Sequence, residues 1–440
     1  MKLLKIVPFL LATILWNCTK DSATTNIGFQ NQTDFIKTYG GTKNESGNSI
    51  VNTVDGGYAI LGYAQSMDGD ITDKQNESFD YWVLKFDAES NLQWSKTYGG
   101  SSDDRGNRII QTVDGGYVIL GYTQSTDQDV TENAGFQDYW LVKLNAQGDI
   151  LWEKSFGYAG ADIGISLIQT TDSGYLLVGV LDVTASNGQG NTSRSYRHAG
   201  GDFWAIKLDA SANLQWSKYY GGTFTDTAYD VIQTAAGNYM IVGSSDSSDV
   251  DITNNLGTYD YWVVKIDSQG TMLWEKSFGG NQIDEAKAIT STSDGNFLIA
   301  GTTRSENQDI TNNLGAADVW IIKISSSGEL LSEKTFGGSS FDSGLHIKKT
   351  PSGFLVSGNT RSSTGDVISN NGQNDAWIFK IDHNLNLMWS NTVGSSAIDT
   401  YYAAIELENN QVIAVGETSG DDFDIEENKG FTDLLITKIK

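Results

Sequence analysis

The sequence predicts an all-β protein folded as a seven-bladed β-propeller, a closed ring of four-stranded antiparallel sheets. Three observations lead to this fold class. A short aromatic and glycine signature recurs seven times, at intervals of 57 to 64 residues. Each interval contains four strand patterns, and one unit is divided between the two ends of the repeat region. A long period with strand-like content is typical of propellers and solenoids.

The signature consists of an aromatic residue or valine followed by two glycine-like positions. It occurs at Tyr39-Gly40-Gly41, Tyr98-Gly99-Gly100, Phe156-Gly157-Tyr158, Tyr220-Gly221-Gly222, Phe278-Gly279-Gly280, Phe336-Gly337-Gly338 and Val393-Gly394-Ser395. The 440 residues include 48 glycines and only 2 prolines, which suits many short, tightly turned strands. The repeat therefore outweighs the expectation from length alone, which would be about three domains.

The fourth unit shows the strand patterns clearly, at Ala228–Ala235, Asn238–Ser244, Asp260–Asp267 and Thr271–Phe278. Apolar residues occupy both faces of its second and third strands, which predicts a sheet covered on both sides by neighbouring sheets. Tryptophans recur at one position of strand 3 and one position of strand 4, and we expect them to pack between blades. They are Trp82, Trp140, Trp204, Trp262, Trp320 and Trp377 in strand 3, and Trp94, Trp152, Trp216, Trp274 and Trp389 in strand 4.

The two ends of the repeat region predict that the ring is closed. The last unit finishes with a strand-3 pattern, Asp433–Ile439, and lacks its fourth strand. The missing pattern occurs at the start, where Asp34–Tyr39 aligns with Gln93–Tyr98. Pairing these two end segments would complete the seventh blade and remove a bare sheet edge, whereas an open solenoid gains nothing from this arrangement. The predicted propeller is a single domain spanning residues 33–440.

The first 32 residues have the pattern of an export signal and a tether. A basic start precedes an apolar run of 11 residues, Ile6–Trp16, which is too short to span a membrane. This pattern predicts a signal peptide over residues 1–17. The single cysteine, Cys18, follows at once, and the segment Leu15–Cys18 resembles a bacterial lipobox, in which the cysteine carries the lipid. An ordinary signal peptide with an incidental cysteine is the alternative. Residues 18–32 are polar and are expected to form a flexible tether.

The residues after the cysteine bear on the location of the protein. No aspartate directly follows Cys18, and Lys20-Asp21 resembles the tag with which Bacteroidota lipoproteins reach the outer face of the outer membrane. The resemblance implies a lipid-anchored protein of the outer membrane that is exposed on the cell surface.

The charge of the chain limits its partners. The formal net charge is −26 at pH 7, from 55 acidic and 29 basic residues. Such a surface repels phosphates, which excludes nucleic acid as a partner. It either attracts cations and basic proteins or serves solubility alone.

The motifs within the repeat resemble those of repetitive seven-bladed propeller lipoproteins of the Bacteroidota. The motifs are Asp-Gly-Gly-Tyr, Asp-Tyr-Trp-Val-x-Lys and Trp-Glu-Lys-Ser-Phe-Gly. They stand at Asp55–Tyr58 and Asp114–Tyr117, at Asp80–Lys85 and Asp260–Lys265, and at Trp152–Gly157 and Trp274–Gly279. The resemblance covers residues 33–440 and implies the propeller architecture. It leaves the activity open, because a fold does not assign a function.

Two sets of acidic residues recur once per blade. The first lies between strand 4 and the next strand 1, at Glu45, Asp104, Asp162, Asp226, Asp284, Asp342 and Asp399. The second ends the loop between strands 2 and 3, at Asp80, Asp138, Asp202, Asp260, Asp318, Asp375 and Asp433. Both loops open on one face of a propeller, which predicts two rings of carboxylates there. These acids either cap turns by accepting backbone N–H bonds, or the first set binds cations at the channel mouth.

Three of the loops between strands 2 and 3 have a spacing that resembles a calcium-binding loop. The acids stand at positions 1, 3 and 12 of the loop, as Asp127, Asp129 and Asp138, as Asp249, Asp251 and Asp260, and as Asp422, Asp424 and Asp433. Oxygen ligands suit Ca²⁺, but the glycine, glutamate and flanking helices of an EF-hand are missing. The hypotheses are therefore structural Ca²⁺ in some loops or loops held by hydrogen bonds alone.

Blade 3 departs from the repeat by an insertion. Its loop Asp182–Gly201 contains the one basic and aromatic cluster on an acidic face: Arg194, Tyr196, Arg197 and His198. Exposed arginine and tyrosine are favoured in binding hot spots, so this cluster is a candidate ligand site. A tolerated insertion without function is the alternative.

The sequence favours binding over catalysis. The chain contains neither H-E-x-x-H nor G-x-S-x-G. We therefore expect a surface lipoprotein that acts as a binding or scaffold module for a glycan, a peptide or a partner protein through its acidic loop face. The alternative is a glycoside hydrolase or lyase that uses paired loop carboxylates. A purely structural scaffold in an envelope assembly is a third possibility.

Overall fold

The computed structural model describes residues 29–191 and 198–440, and these form a seven-bladed β-propeller. Its 28 strands make seven four-stranded antiparallel sheets, which confirms the predicted fold class. The predicted signal peptide and Cys18 lie outside the described residues, as do Arg194, Tyr196 and Arg197. Within the described ranges, no helix is long and apolar enough to cross a membrane.

Six blades are built from four strands that are consecutive in the sequence. Blades 1 to 3 comprise β2 (Glu45–Asn52), β3 (Tyr58–Ala64), β4 (Asp80–Phe86), β5 (Leu92–Tyr98), β6 (Asp104–Gln111), β7 (Tyr117–Thr123), β8 (Asp138–Leu144), β9 (Ile150–Phe156), β10 (Ile163–Gln169), β11 (Tyr175–Asp182), β12 (Gly201–Leu208) and β13 (Leu214–Tyr220). Blades 4 to 6 comprise β14 (Asp226–Gln233), β15 (Tyr239–Ser245), β16 (Asp260–Ile266), β17 (Met272–Phe278), β18 (Asp284–Ser291), β19 (Phe297–Thr303), β20 (Asp318–Ile324), β21 (Leu330–Phe336), β22 (Asp342–Thr350), β23 (Gly353–Thr360), β24 (Asp375–Ile381) and β25 (Leu387–Val393).

Blade 7 closes the ring by combining both ends of the propeller. It consists of β26 (Asp399–Glu406), β27 (Val412–Thr418), β28 (Asp433–Ile439) and, as its outermost strand, β1 (Thr33–Tyr39). Strand β1 runs antiparallel to β28, with Ile36 opposite Thr437 and Thr38 opposite Leu435. The closure predicted from the sequence is therefore confirmed.

The order of strands within each blade places a channel at the centre. The first strand of every blade contacts the first strands of both neighbours around the whole ring. The connections between strands 2 and 3 and those between strand 4 and the next strand 1 lie at the same end of the strands. We call this end the loop face, and the end with the 1–2 and 3–4 turns the hairpin face.

The strand-3 tryptophans lie between neighbouring blades, as predicted. The ring of Tyr261 in blade 4 contacts the ring of Trp320 in blade 5, with centroids 4.7 Å apart. The Tyr261 hydroxyl also donates a hydrogen bond to the carbonyl oxygen of Trp320 at 2.9 Å. The same pair of contacts joins Tyr81 in blade 1 to Trp140 in blade 2. Each aromatic pair adds about 0.5–1.5 kcal/mol to the burial of its rings.

We expect removal of β1 to open the ring at blade 7. Deleting residues 1–39 leaves β28 as an unpaired edge, which promotes edge-to-edge association. The melting temperature should fall by more than about 10 °C relative to a chain that lacks only residues 1–28. Calorimetry and size-exclusion chromatography measure both effects. Equal stability of the two chains would contradict a closing role for β1.

Candidate functional site

A β-bulge at the same place in every inner strand turns one side chain per blade into the channel. The register of each first strand shifts at the third residue after its leading acid. Such bulges re-aim side chains at functional sites. The bulged residues are Asn48, Asn107, Ile165, Tyr229, Lys287, Leu345 and Tyr402.

These seven side chains surround a pocket of about 530 Å³ in the channel. The other lining residues are Tyr63, Arg105, Arg108, Tyr122, Ile163, Ala288, His346 and Ala403. All but two of the fifteen belong to first strands, near the ends where those strands start. The pocket therefore lies at the loop-face end of the channel, and we call it the channel pocket.

The charged residues that line the channel pocket are basic, in contrast to the acidic composition of the whole chain. The whole chain has nearly twice as many acidic as basic residues. Among the described residues that line the pocket, Arg105, Arg108 and Lys287 are basic and none is acidic, and each of the three forms an ion pair with an acid outside this lining: Asp103, Asp230 and Glu285. Four tyrosines also line it. This combination suits a ligand with an anionic group and an apolar or planar part.

Arg105 is held at the wall of the pocket by aromatic rings. Its guanidinium carbon lies 3.8 Å from the ring centroid of Phe79 and 5.0 Å from that of Tyr63. Its Nη2 is 3.9 Å from Asp103 Oδ2, a long ion pair. In the described part of the chain, its buried Nε atom has no hydrogen-bond partner. The guanidinium is thus fixed in orientation but incompletely paired.

Arg108, which lines the pocket, forms an ion pair across the channel with Asp230. Arg108 Nη2 contacts Asp230 Oδ1, and the Ser166 hydroxyl accepts from Arg108 Nη2 at 2.8 Å and donates to Asp230 Oδ1 at 2.8 Å. Burial, together with the positive charges of Arg108 and Lys348, keeps the pKa of His346 well below its usual range. The imidazole of His346 is therefore neutral at physiological pH.

The first set of repeated acids lies beneath the turns that join the blades. All seven side chains are fully buried, which agrees with the turn-capping alternative and not with display at the channel mouth. In blade 5, Asp284 Oδ2 accepts a hydrogen bond from Gly280 N at 2.7 Å. The equivalent bond is 2.6 to 2.8 Å long for Glu45, Asp104, Asp162, Asp226, Asp342 and Asp399. Their observed role is turn capping.

The second set of repeated acids is buried beside the first, between the same two blades. At Gly279, an added Cβ would lie 2.4 Å from Asp260 Oδ1 and 2.7 Å from Asp284 Oδ2, so only glycine fits between these two carboxylates. Burial, with smaller contributions from neighbouring acids, raises the pKa of Asp260 to about 7. Burial likewise raises the pKa of Asp318, in the second set, to about 7 and that of Asp226, in the first set, to about 8.

The three acids of each calcium-like loop accept hydrogen bonds from different backbone amides. In blade 4, Asp249 Oδ1 accepts from Thr223 N at 3.0 Å, Asp251 Oδ2 accepts from Gly221 N at 3.2 Å, and Asp260 Oδ2 accepts from Leu256 N. The same bonds hold the acids of the other two loops: Asp127, Asp129, Asp138, Asp422, Asp424 and Asp433. In residues 29–191 and 198–440, no three His, Cys, Asp or Glu side chains are grouped to hold a metal. Calcium binding stays a prediction from the sequence.

His198 is the one residue of the predicted blade 3 cluster that the structure describes. It is buried, not displayed on the loop surface. Its Nδ1 lies 2.5 Å from Asp202 Oδ2, and its ring contacts that of Tyr219 with centroids 4.8 Å apart. His198 therefore supports its own blade, where Asp202 has the position that Asp260 has in blade 4.

The channel pocket is not among the sites predicted from the sequence, although the sequence contains a signal for it. The third residue after each repeated acid differs in most of the blades, while the acid itself is nearly invariant among them. One shared architectural role does not require five residue types at these seven equivalent positions. Variation at one position of an otherwise regular repeat thus pointed to the channel pocket.

Comparisons with known proteins support the fold and no specific activity. No protein-family model matches the chain, and no curated protein matches it in sequence. The WD40 β-propeller domain of Doa1 covers 93% of this chain and 97% of its own, at 10% identity and a TM-score of 0.51. The WD40 domain of Neurospora crassa Pan2 covers 91% and 97%, at 9% identity and a TM-score of 0.47. A putative 6-phosphogluconolactonase from Bacteroides fragilis covers 80% and 86%, at 13% identity and a TM-score of 0.42.

The raised pKa values predict an unusual pH dependence. Asp260 has an ordinary pKa of 3.8 and a folded pKa of about 7, so the folded state binds more protons than the unfolded state between these values. Stability should therefore fall as pH rises through this window. We expect Asp260→Asn to raise the melting temperature by about 1–3 °C at pH 8 and to have little effect at pH 4.

Asp294→Asn is the matched control for this experiment. A hydrogen bond from Lys323 lowers the pKa of this exposed turn acid, so its loss should destabilise the protein at pH 8. Thermal melts of both variants from pH 4 to pH 8 make the comparison. Destabilisation by Asp260→Asn at pH 8 would contradict the prediction, because it would mean that the folded protein stabilises the charged Asp260 carboxylate.

Proposed function

We propose that this protein is a binding module of the bacterial cell envelope that seats part of a partner protein in the channel pocket. The observation that carries the proposal is the pocket itself. Seven near-identical blades build a regular framework, and the bulged side chains that differ most between blades converge on one cavity at the loop face. Ligand pockets are typically concave, about 300–1,000 Å³ in volume, and lined by aromatic and a few polar groups.

Exposed aromatic residues on the loop face favour a protein as the partner. Phe136, Phe224 and Phe431 lie in loops of this face and expose 64%, 59% and 68% of their surface. Large aromatic side chains are enriched at the centres of protein interfaces, where they supply most of the binding energy. Together with the pocket, they offer a contact surface wider than a small ligand needs.

The hydrolase alternative finds less support in the geometry. The neighbouring carboxyl groups of the two acid sets, such as Asp260 and Asp284, are fully buried under turns. A glycosidase needs both carboxyl groups at the scissile bond, in reach of substrate and water. The paired acids that motivated this alternative hold the framework together, and the channel pocket is lined by none of them.

Attachment to the membrane through Cys18 is part of the proposal. We expect Cys18→Ser to abolish incorporation of radiolabelled palmitate and to move the protein from the membrane to the soluble fraction. The reason is that the cysteine carries the lipid, and stable anchoring depends on the acyl chains. Unchanged fractionation of the variant would contradict lipid anchoring.

Site-specific photocrosslinking tests whether the channel pocket is the binding site. A benzoylphenylalanine placed at Tyr229, in the pocket, should form a crosslinked product of discrete mass in cells. The matched control is Val113, which is 91% exposed in a turn of the hairpin face. Crosslinking from Val113 but not from Tyr229 would place the working surface at the opposite end of the channel.

A further inference from the structure

The channel pocket is basic inside and acidic at its rim. Arg105 and Lys287 line it. Each forms an ion pair with an acid two residues earlier, Asp103 and Glu285 respectively. Glu417 joins this rim by accepting a hydrogen bond from the Tyr402 hydroxyl at 2.9 Å. A ligand that fits this pattern has an anionic group at its tip and cationic groups behind it.

We infer that the channel pocket captures the C-terminal carboxylate of a partner protein whose preceding residues are basic. This inference rests on the proposed function and names the group that enters the pocket. A protein C-terminus provides one carboxylate at the end of a slender chain, and lysine or arginine side chains just before it would face the acidic rim.

Arg105 has the geometry to hold a carboxylate. Stacking on Phe79 fixes the plane of the guanidinium, the side chain is 32% exposed, and among the described residues its Nη2 is held only by the long ion pair to Asp103. Arginine presents two parallel N–H groups that match the two oxygens of a carboxylate. A fixed, aromatic-backed guanidinium also loses little conformational freedom when it binds.

Lys287 provides a second positive charge in the pocket. Its Nζ lies 3.7 Å from the ring centroid of Tyr229, and 3.5 Å from Glu285 Oε1 at the rim. The side chain is 17% exposed, so its charge is only partly screened by water. The four tyrosines that line the pocket provide apolar surface for the last side chain of the bound segment.

The charge of the whole protein argues against a polyanion as the occupant. An acidic polysaccharide carries a charge on each repeating unit, and the units outside the pocket would lie against the acidic rim of a chain with net charge −26. A basic C-terminal segment avoids this repulsion, because only its terminal carboxylate is negative.

Fluorescence anisotropy with defined peptides tests the inference on the full-length protein. The probe is a labelled pentapeptide mixture with two lysines before a randomised last residue, prepared with a free C-terminal carboxylate or as the amide. We expect the free carboxylate to bind at least about tenfold more tightly than the amide, which corresponds to about 1.4 kcal/mol. Equal affinity for the two forms would overturn the inference without the use of any variant.

Two variants locate the contact. Arg105→Met keeps an apolar stem against Phe79 and should weaken binding of the free carboxylate about tenfold, with little effect on the amide. Arg304→Met is the control, because Arg304 also lies over a phenylalanine ring, at 5.6 Å from the centroid of Phe341, but does not line the pocket. Equal effects of the two variants would overturn the assignment to Arg105.

Two further outcomes separate this inference from the proposed function. Direct binding of galacturonic acid, measured by isothermal titration calorimetry, together with no measurable peptide binding would show that the carboxylate belongs to a sugar, and would overturn the inference. Crosslinking from Tyr229 combined with equal affinity for acid and amide peptides would leave the proposed function standing and remove only the carboxylate recognition.

Discussion

Seven buried carboxylates hold the links between blades, and the rest of the structure depends on them. Each accepts a short hydrogen bond from the backbone of the turn that enters its own blade, as Asp284 does from Gly280. Asp284 also accepts from the hydroxyl groups of Thr303 and Ser305, in the strand and loop that follow. One side chain thus fixes the turn, the first strand and the start of the next loop relative to one another.

Burying so many acids lowers the free energy of unfolding, and the hydrogen bonds to their carboxylates make the burial tolerable. An isolated buried carboxylate destabilises a fold by several kcal/mol, but bonds to backbone N–H groups offset much of that cost. Five strand-3 acids accept a bond from the amide four residues earlier, and Asp80 and Asp202 contact the basic side chains of Lys74 and His198. Each buried carboxylate needs a hydrogen-bond donor or a positive charge beside it. Side chains contribute to this in blades 1 and 3, where the loop between strands 2 and 3 is longer.

The framework could be predicted from the sequence because its physical causes repeat. The recurring acids, glycines and tryptophans make the period visible, and the displaced strand pattern at Asp34–Tyr39 indicates closure without any knowledge of contacts. Spacing alone left two roles for the acids, because it does not show which way a side chain points relative to a turn. The structure favours turn capping over display at the channel mouth, since the turn at Gly280 folds over Asp284.

The channel pocket is harder to predict, because it depends on what the blades do not share. A β-bulge rotates the third residue after each acid out of the sheet and into the channel, where its side chain no longer contributes to packing between blades. Those positions are therefore free to differ, and Tyr229, Lys287 and Leu345 stand at the same place in three successive blades. Regular positions build the ring, and the freedom left at the bulge allows one asymmetric, basic and aromatic cavity to form inside a highly acidic protein.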